Sequence, residues 1–462
     1  MSENRARFAY VKEAIMGAIA GALVVTLIIL TAGSQGAKPR DTASQTPAAT
    51  PTTTGSAEPS ATPVGCSVSK LASDSRLGAL QAIVVDNATG KTLFNLGGET
   101  GSSTASAMKL ITAAVALKVL GPNFRVTTKV YVDPADTSHI YFVGAGDPTL
   151  SRTPNGRQSV YENAPKLSDL AVLINGWAKA NAVASISAVT LDSTLFNGPN
   201  YEASWPASER TSGYVSQITA LQVDGDRSNP KNETSPRSKN PVMNAGGYLV
   251  SAIGKVAQNA ILDENALPGT ATKVIASVTS QPISVWINHM LQVSDNTEAE
   301  YLARLVSLQT GGDGSFASIN QAFQTTLGTL GLDTTGMVLV DGSGESNQNQ
   351  VTPKFFTDLM KLVLAGENNL NYIAQGLPVA GESGSLATRF SGKNADADGH
   401  VFAKTGWIKH GYTLAGYIKP ADGSVLTFAV YALGTNVSDS AKVAIDNLVT
   451  GFYRCGLNLT QN

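Results

Sequence analysis

The hydrophobic pattern divides the chain into three stretches of different character. The first is Ala14 to Ala32, 19 uncharged and mostly apolar residues that include LVVTLIIL. As a helix at about 1.5 Å per residue it spans about 28 Å, enough for a hydrocarbon core of about 30 Å. Arg5, Arg7 and Lys12 precede it, partly offset by Glu3 and Glu13. The positive-inside rule then makes residues 1–33 a cytoplasmic N-terminus and transmembrane anchor, with everything after Gly33 outside. A cleaved signal peptide, leaving a secreted protein, is the alternative. No A-x-A site follows directly and the apolar run is long for that class, so the retained anchor is preferred. A buried core helix is less suitable, because a terminal run of this kind has little to pack against. Residues 34–64 follow, and 22 of these 31 are Ser, Thr, Pro or Ala. Such a segment cannot bury a core and reads as an extended tether. The folded part begins near Gly65, and no later run resembles a second membrane span.

Inside the folded part the pattern alternates between strand and helix. Ala79–Val85 predicts a strand, Asp86-Asn87-Ala88-Thr89-Gly90 a turn, and Lys91–Asn95 a second strand. SAMKLITAAVALKVLG, closing at Gly121, predicts a helix with a glycine stop. Residues 125–150 alternate in strand fashion, and Lys166–Ala180 predicts a helix. After Pro282 the pattern gives a helix, a polar break and another helix. Leu414–Ile418 and Val425–Ala432 are β-type runs, and a final helix is predicted near Ser438–Tyr453. Helices and strands both early and late suggest one α/β domain interrupted by an insertion.

Composition narrows the function. The chain has 462 residues, 42% hydrophobic, which excludes a fully disordered protein. Lys+Arg 33 against Asp+Glu 35 gives −2, which argues against a basic nucleic-acid binder. Four His and two Cys leave little for a metal site, and CxxC, HExxH and GxSxG are missing, so zinc ribbons, zincins and ordinary α/β-hydrolases are disfavoured. No metal and no cofactor are expected. Cys66 and Cys455 flank the folded region. In an extracytoplasmic compartment one disulfide joining its first and last elements is the simplest reading, two unpaired buried cysteines the other.

Three short motifs carry candidate chemistry. Ser106-Ala107-Met108-Lys109 places a hydroxyl and an amine one helical turn apart, about 5–6 Å between Cβ atoms. The lysine can take the serine proton if its pKa falls from about 10.4 toward about 7–8, at a cost of roughly 4 kcal/mol that burial or another cation must supply. Ser294-Asp295-Asn296 lies in the break between two helices. Its serine can relay a proton and its asparagine can hold an amide, or Ser294 or Asn296 simply caps the second helix. Lys404-Thr405-Gly406 suits an edge strand where Lys and Thr bind a carboxylate and Gly admits a substrate backbone. Each motif alone is weak: Ser67–Lys70 and Ser318-Ile319-Asn320 match by chance.

The order of the motifs, with intervals of 188 and 110 residues, resembles the penicillin-recognising serine D,D-peptidases, in particular their low-molecular-mass class C branch of D-alanyl-D-alanine carboxypeptidases/endopeptidases. Gly144-Ala145-Gly146-Asp147-Pro148-Thr149-Leu150, Leu191-Asp192 through Phe196 and Trp205, Asp341-Gly342-Ser343-Gly344, Val351-Thr352-Pro353 and Leu377-Pro378-Val379-Ala380-Gly381 add to the likeness, which runs from about 67 to 456. The resemblance implies an α/β (α+β) transpeptidase/β-lactamase-like domain, an antiparallel sheet flanked by helices, over 65–124 and 283–458, with an inserted β-rich domain over 125–282. It implies a carboxypeptidase, with endopeptidase as a second activity, that trims peptidoglycan stem peptides and is acylated by β-lactams. Ser106 would be the nucleophile, Lys109 its base with a pKa lowered partly by Lys404, and Ser294 the donor to the leaving D-Ala. Asn296 would hold the substrate amide, and Lys404 and Thr405 its terminal carboxylate. The N–H groups of Ser106 and Trp407 would bind the oxyanion. A serine β-lactamase and a non-catalytic wall-binding relative are the competing readings. The β-lactamase suits the 188-residue interval poorly, and the intact motifs argue against decay.

Two departures bear on specificity. Trp407 stands where the branch often has Thr, losing a hydroxyl but keeping a backbone donor. Glu345-Ser346-Asn347 stands where it often has Leu-Ser-Arg, and that Arg helps recognise the stem-peptide side chain. The change implies substrates whose third residue ends in an amine or amide, unless Arg389, Lys409 or the inserted domain supplies the cation.

Overall fold

The short apolar runs pair as strands, and the longer ones form helices that cover them. The computed structural model describes residues 65–461, so the anchor and tether read from 1–64 lie outside the described residues. In chain order the strands and the helices longer than six residues are β1 (Ala79–Asp86), β2 (Thr92–Leu96), α1 (Met108–Val119), β3 (Thr127–Asp133), β4 (Asp136–Val143), α2 (Leu167–Ala180), β5 (Ala188–Asp192), α3 (Pro241–Ile253), β6 (Ile261–Glu264) and β7 (Lys273–Thr279). Then follow α4 (Ile283–Val293), α5 (Asn296–Gln309), α6 (Phe316–Thr329), α7 (Pro353–Ala365), β8 (Val401–Ile408), β9 (Gly411–Ile418), β10 (Leu426–Leu433) and α8 (Ser440–Cys455).

The first sheet has the order β2-β1-β10-β9-β8 and is antiparallel throughout. It joins the two ends of the folded chain, with Ala79 opposite Leu433 and Asp86 opposite Leu426. The β1–β2 turn is built as its residues suggest: Asp86 accepts from the Ala88 N–H and the Thr89 hydroxyl, and Gly90 closes it at φ 74°. Every residue of β9 is buried, because both faces of the sheet are covered. Ile83, Ala415, Tyr417, Ala429 and Tyr431 face a core built with α1, α4, α5 and α7. Ala82, Val84, Leu414, Phe428 and Val430 face α8 through Ile445, Leu448 and Phe452. Coverage on both sides explains why these strands read as continuous apolar runs rather than as alternation.

A second sheet, β6-β5-β4-β3-β7, is drawn wholly from residues 127–279. β4, β5 and β6 are mutually parallel, and β3 is antiparallel to β4 and β7. α2 and α3 pack on it through Leu170, Ile174, Ala245 and Leu249. The stretch expected to be β-rich is therefore mixed, with two helices as well as five strands.

Among the described residues no helix is long and apolar enough to cross a membrane. Cys66 and Cys455 are bonded, with Cα atoms 5.4 Å apart across 389 residues of sequence, so the paired reading of the cysteines holds. Beside the bridge Cys66 N–H donates to Asn458 O at 2.9 Å and Thr460 N–H to Cys66 O at 3.0 Å. Closing so long a loop constrains the unfolded chain, a stabilisation of about 2–5 kcal/mol. Replacing both cysteines by serine is expected to lower the urea unfolding midpoint of the oxidised protein accordingly. An unchanged midpoint would contradict the assignment.

Candidate active site

Helix α1 is apolar on nearly all sides, and Met108 through Leu117 are all buried, as suits a helix at the centre of a core. Its polar exceptions, Lys109 and Thr112, share a face and turn to one loop. Thr112 Oγ1 donates to Gly342 O at 2.5 Å and Lys109 Nζ donates to Ser343 O at 2.8 Å. Ser106 lies just ahead, in the 3₁₀ turn Ala105–Ala107, with its Oγ 2.8 Å from Lys109 Nζ.

The turn is held in an unfavourable shape. Ala105 has φ 44°, in the left-handed region that costs a non-glycine residue about 1–2 kcal/mol. Two glycines let the surroundings close on it. A Cβ on Gly344, itself at φ 82°, would run into Ala105 O and come within 2.9 Å of Met108 Cβ. A Cβ on Gly406 would meet Thr413 Oγ1 and lie 2.7 Å from the Ser106 nitrogen. Thr413 and the serine turn therefore both need the missing side chain at Gly406, the residue expected to admit a substrate backbone.

The break between α4 and α5 assigns its three residues differently from the capping alternative. Ser294 ends α4 at φ 65°, and Asp295 is the cap of α5, its Oδ1 accepting from Glu298 N–H at 3.0 Å. Ser294 and Asn296 are thereby left for other partners. Ser294 Oγ accepts from Lys404 Nζ at 2.9 Å, and Asn296 Oδ1 accepts from Lys109 Nζ at 2.6 Å.

Strand β8 is the last strand of the first sheet, as expected for Lys404-Thr405-Gly406; beyond its pairing with β9 it meets the segment Pro378–Ala380 through a single bridge at Phe402. Lys404 Nζ also donates to Thr405 O at 2.7 Å, and Thr405 Oγ1 donates to Ser385 Oγ at 2.7 Å. Trp407 is half exposed on the rim. Ser106, Ser294, Asn296, Thr405, Gly406 and Trp407 all line one cavity of about 880 Å³, with Lys109 and Lys404 buried behind its wall. All eight residues singled out from the sequence thus meet in one place.

Burial dominates the electrostatics. It lowers the Lys109 amine to about 8, against the raising fields of Glu345, Asp341, Glu300 and Asp295. Burial, with the Lys109 charge adding to it, holds Lys404 well below an ordinary lysine. Lys109 was expected to be lowered partly by Lys404; burial lowers it instead, and the repulsion acts from Lys109 onto Lys404. Burial likewise pushes Glu345 up to about 7, with Glu209 adding to the rise and Lys109 opposing it. Glu345 Oε2 accepts from Asn296 Nδ2 at 3.0 Å, so it is linked to Lys109 through one side chain.

His289, Asp295 and Glu298 bring three donor atoms within 4.8 Å. Asp295 Oδ2 is taken by Arg227 Nη2 at 2.6 Å and Glu298 Oε2 by His289 Nδ1 at 2.7 Å, so the group is an ion-pair cluster. Glu345, read from the sequence only as bearing on specificity, and the Ser343 carbonyl, given no role there, lie within or beside the Asp341–Gly344 segment. Ser385 and Arg227 gave no local signal. Asn347, Arg389 and Lys409 also line the cavity, and Arg389 is held by Asp446 at 2.6 Å.

The chain matches the family described as D-Ala-D-Ala carboxypeptidase 3 (S13), over residues 65–259 and 231–452. It is 32% identical to the carboxypeptidase DacB of Mycolicibacterium smegmatis over 82% of this chain and 81% of that one. It is 31% identical to a carboxypeptidase of Mycobacterium tuberculosis over 85% and 84% of the two chains. The crystal structure of penicillin binding protein 4 from Haemophilus influenzae has the same fold, at a TM-score of 0.68 with 19% identity, covering 84% of this chain and 99% of that one.

Gly406→Ala is expected to slow labelling of the protein by a β-lactam at least tenfold with the circular dichroism spectrum unchanged, because the new methyl group meets Thr413 Oγ1 and the Ser106 nitrogen. An unaltered rate would mean that the turn yields without consequence.

Proposed function

The chain belongs to the D-Ala-D-Ala carboxypeptidase 3 (S13) family and is a serine-type D-alanyl-D-alanine carboxypeptidase, and from that premise we propose that it trims peptidoglycan stem peptides through an acyl-enzyme on Ser106. The observation that carries the residue assignment is the pair of bonds Ser106 Oγ–Lys109 Nζ at 2.8 Å and Ser294 Oγ–Lys404 Nζ at 2.9 Å at one cavity.

A neutral Lys109 has two N–H donors and one lone pair. Asn296 Oδ1 and Ser343 O take the two donors, and the lone pair is left for the Ser106 hydroxyl. Ser106 Oγ gives its proton to Nζ as it attacks the penultimate D-Ala carbonyl carbon. The backbone N–H groups of Ser106 and Trp407 receive the oxyanion, at about 3–4 kcal/mol per donor in other acyl-transfer enzymes. The scissile C–N bond breaks as Ser294, backed by Lys404, passes its proton to the departing amine, and the proton that Lys109 took from Ser106 makes good the one Ser294 gives, which leaves Lys109 neutral again. Thr405, with Lys404, holds the terminal carboxylate, and Ser385 buttresses the Thr405 hydroxyl. Water then attacks the ester, giving its proton to neutral Lys109, which passes it to Ser106 Oγ as the ester bond breaks; a β-lactam acylates Ser106 in the same way and stays attached. Asn296 fixes the substrate amide as well as Lys109.

The catalytic domain is assigned to 65–124 and 283–458, and 125–282 to an insertion whose sheet the first domain does not share. Residues 14–32 are assigned to a membrane anchor with the enzyme outside the cell. With Glu345 and Asn347 on the cavity wall, and with Arg389 on that wall bound to Asp446, the third residue of preferred stem peptides ends in an amine or amide unless Lys409 on the same wall supplies the cation.

Mass spectrometry after benzylpenicillin is expected to show one adduct, on Ser106, absent in Ser106→Ala. An adduct on another serine would refute the assignment, and fast nitrocefin turnover would point to a β-lactamase instead. Acylation needs neutral Lys109, so its rate should rise with pH through about 8. Glu345→Gln removes a field that raises that pKa, and should move the midpoint to lower pH; a midpoint that stays or rises would count against Lys109 as base. For third-residue specificity, kcat/KM is compared between peptides with free diaminopimelate, its amide or Lys. A tenfold preference for the free acid, about 1.4 kcal/mol, would overturn that part.

A further inference from the structure

The residue between Ser294 and Asn296 is held from outside its own helices. Asp295 Oδ1 is spent on the α5 cap, and Oδ2 accepts from Arg227 Nη2 at 2.6 Å and Tyr161 OH at 3.2 Å. Arg227 and Asp295 are a fully enclosed ion pair, each side chain 2% exposed. The guanidinium is itself fixed on every side. Nη1 donates to Tyr161 OH at 2.6 Å and to Asp224 O at 3.3 Å, Nε donates to Glu233 O at 3.2 Å, and the group lies 4.8 Å from the Tyr161 ring centroid. Arg227 and Tyr161 both belong to the stretch between the first and second motifs. That stretch reaches the site here through a two-sided fork, a geometry that a lysine cannot reproduce.

Resting on the acylation reading above, we propose that Arg227 is a positioning residue for the reaction: by fixing Asp295 it sets the left-handed Ser294 and the Asn296 side chain on either side of it. Two bonds depend on that placement, Ser294 Oγ to Lys404 and Asn296 Oδ1 to Lys109. If Asp295 turns, both swing with it, one toward the leaving-group proton and the other toward the base. Breaking a buried pair also leaves an unpaired charge, so substitution needs a control that removes both charges together. Arg227→Met with Asp295→Asn does this, since Asn caps a helix as well as Asp.

The experiment measures acylation by benzylpenicillin in Arg227→Lys and in the Arg227→Met/Asp295→Asn pair, per titrated active site. It records the limiting rate, the concentration giving half that rate, and the melting temperature. A loss of at least tenfold in the limiting rate, with the half-saturating concentration within threefold of the unaltered protein, is expected in whichever variant stays folded. A purely structural role would lower the melting temperature or the number of active sites and leave the limiting rate per site unchanged. A folded variant that keeps its limiting rate within twofold, or loses only in the half-saturating concentration, overturns the assignment of Arg227. Failure of the unaltered protein to be labelled on Ser106 would instead overturn the acylation reading.

Discussion

The site depends on keeping a lysine amine in the interior with no charge to neutralise it directly. Lys109 is buried on a helix whose other sides are apolar, and Lys404 is buried a short distance behind the same wall. Desolvating two ammonium groups is unfavourable, and the protein responds by lowering both pKa values rather than by pairing each with an acid. Of the acids that act on Lys109, Glu345 is tied to it through Asn296, while Glu300 and Asp341 are satisfied elsewhere. Glu300 accepts from the N–H groups of Gly342 and Ser343, and Asp341 from Trp205 Nε1 and the N–H groups of Gly344 and Ser346. Burial raises both acids as well, so they oppose the lowering of Lys109 without pairing with it.

That electrostatic condition explains the packing around it. Dense apolar surroundings for α1 require the Ser106 turn to be pressed against β8 and the 341–346 loop, and the contact is possible only where Gly406 and Gly344 lack side chains. The two left-handed residues at the site, Ala105 and Ser294, lie at the entry to α1 and the exit of α4. Each is fixed by neighbours from distant parts of the chain: Thr413 Oγ1 donates to Thr104 O, and Lys404 Nζ donates to Ser294 Oγ. Local strain is borne there by tertiary contacts.

The sheet strands, the α4–α5 break and the final helix were legible because each is a local pattern: an apolar run, a cluster of polar residues, a helical period. The site was legible as three motifs in order, since the spacing of residue types survives without knowledge of the fold. Other features were not. Helix α5 looks half polar in sequence, yet Asn296 through Ser307 are all buried. Its Glu300 is satisfied by N–H groups some 40 residues away and its Arg304 by the carbonyls of Asn197, Pro199 and Gly314. The cap could not be apportioned among Ser294, Asp295 and Asn296 because three capping residues stand in a row, and only Lys109 and Lys404, brought in from elsewhere, decide which two are needed for other bonds. The close approach at Gly406 was hidden for a similar reason: Thr413 Oγ1 and the Ser106 nitrogen reach it from distant parts of the chain.

The bridge between Cys66 and Cys455 has a mechanical consequence. A pull entering the described part at Gly65 reaches Cys66 first, and there it divides. One branch runs on toward β1, and the other crosses the sulfurs into the end of α8, which packs across the sheet through Ile445, Leu448 and Phe452. β1 sits between β2 and β10, so unzipping it alone would mean parting its ladder strand by strand. With the load shared, β1 and α8 resist together, and tension is spread over the face of the sheet opposite to Lys404 and the serine turn.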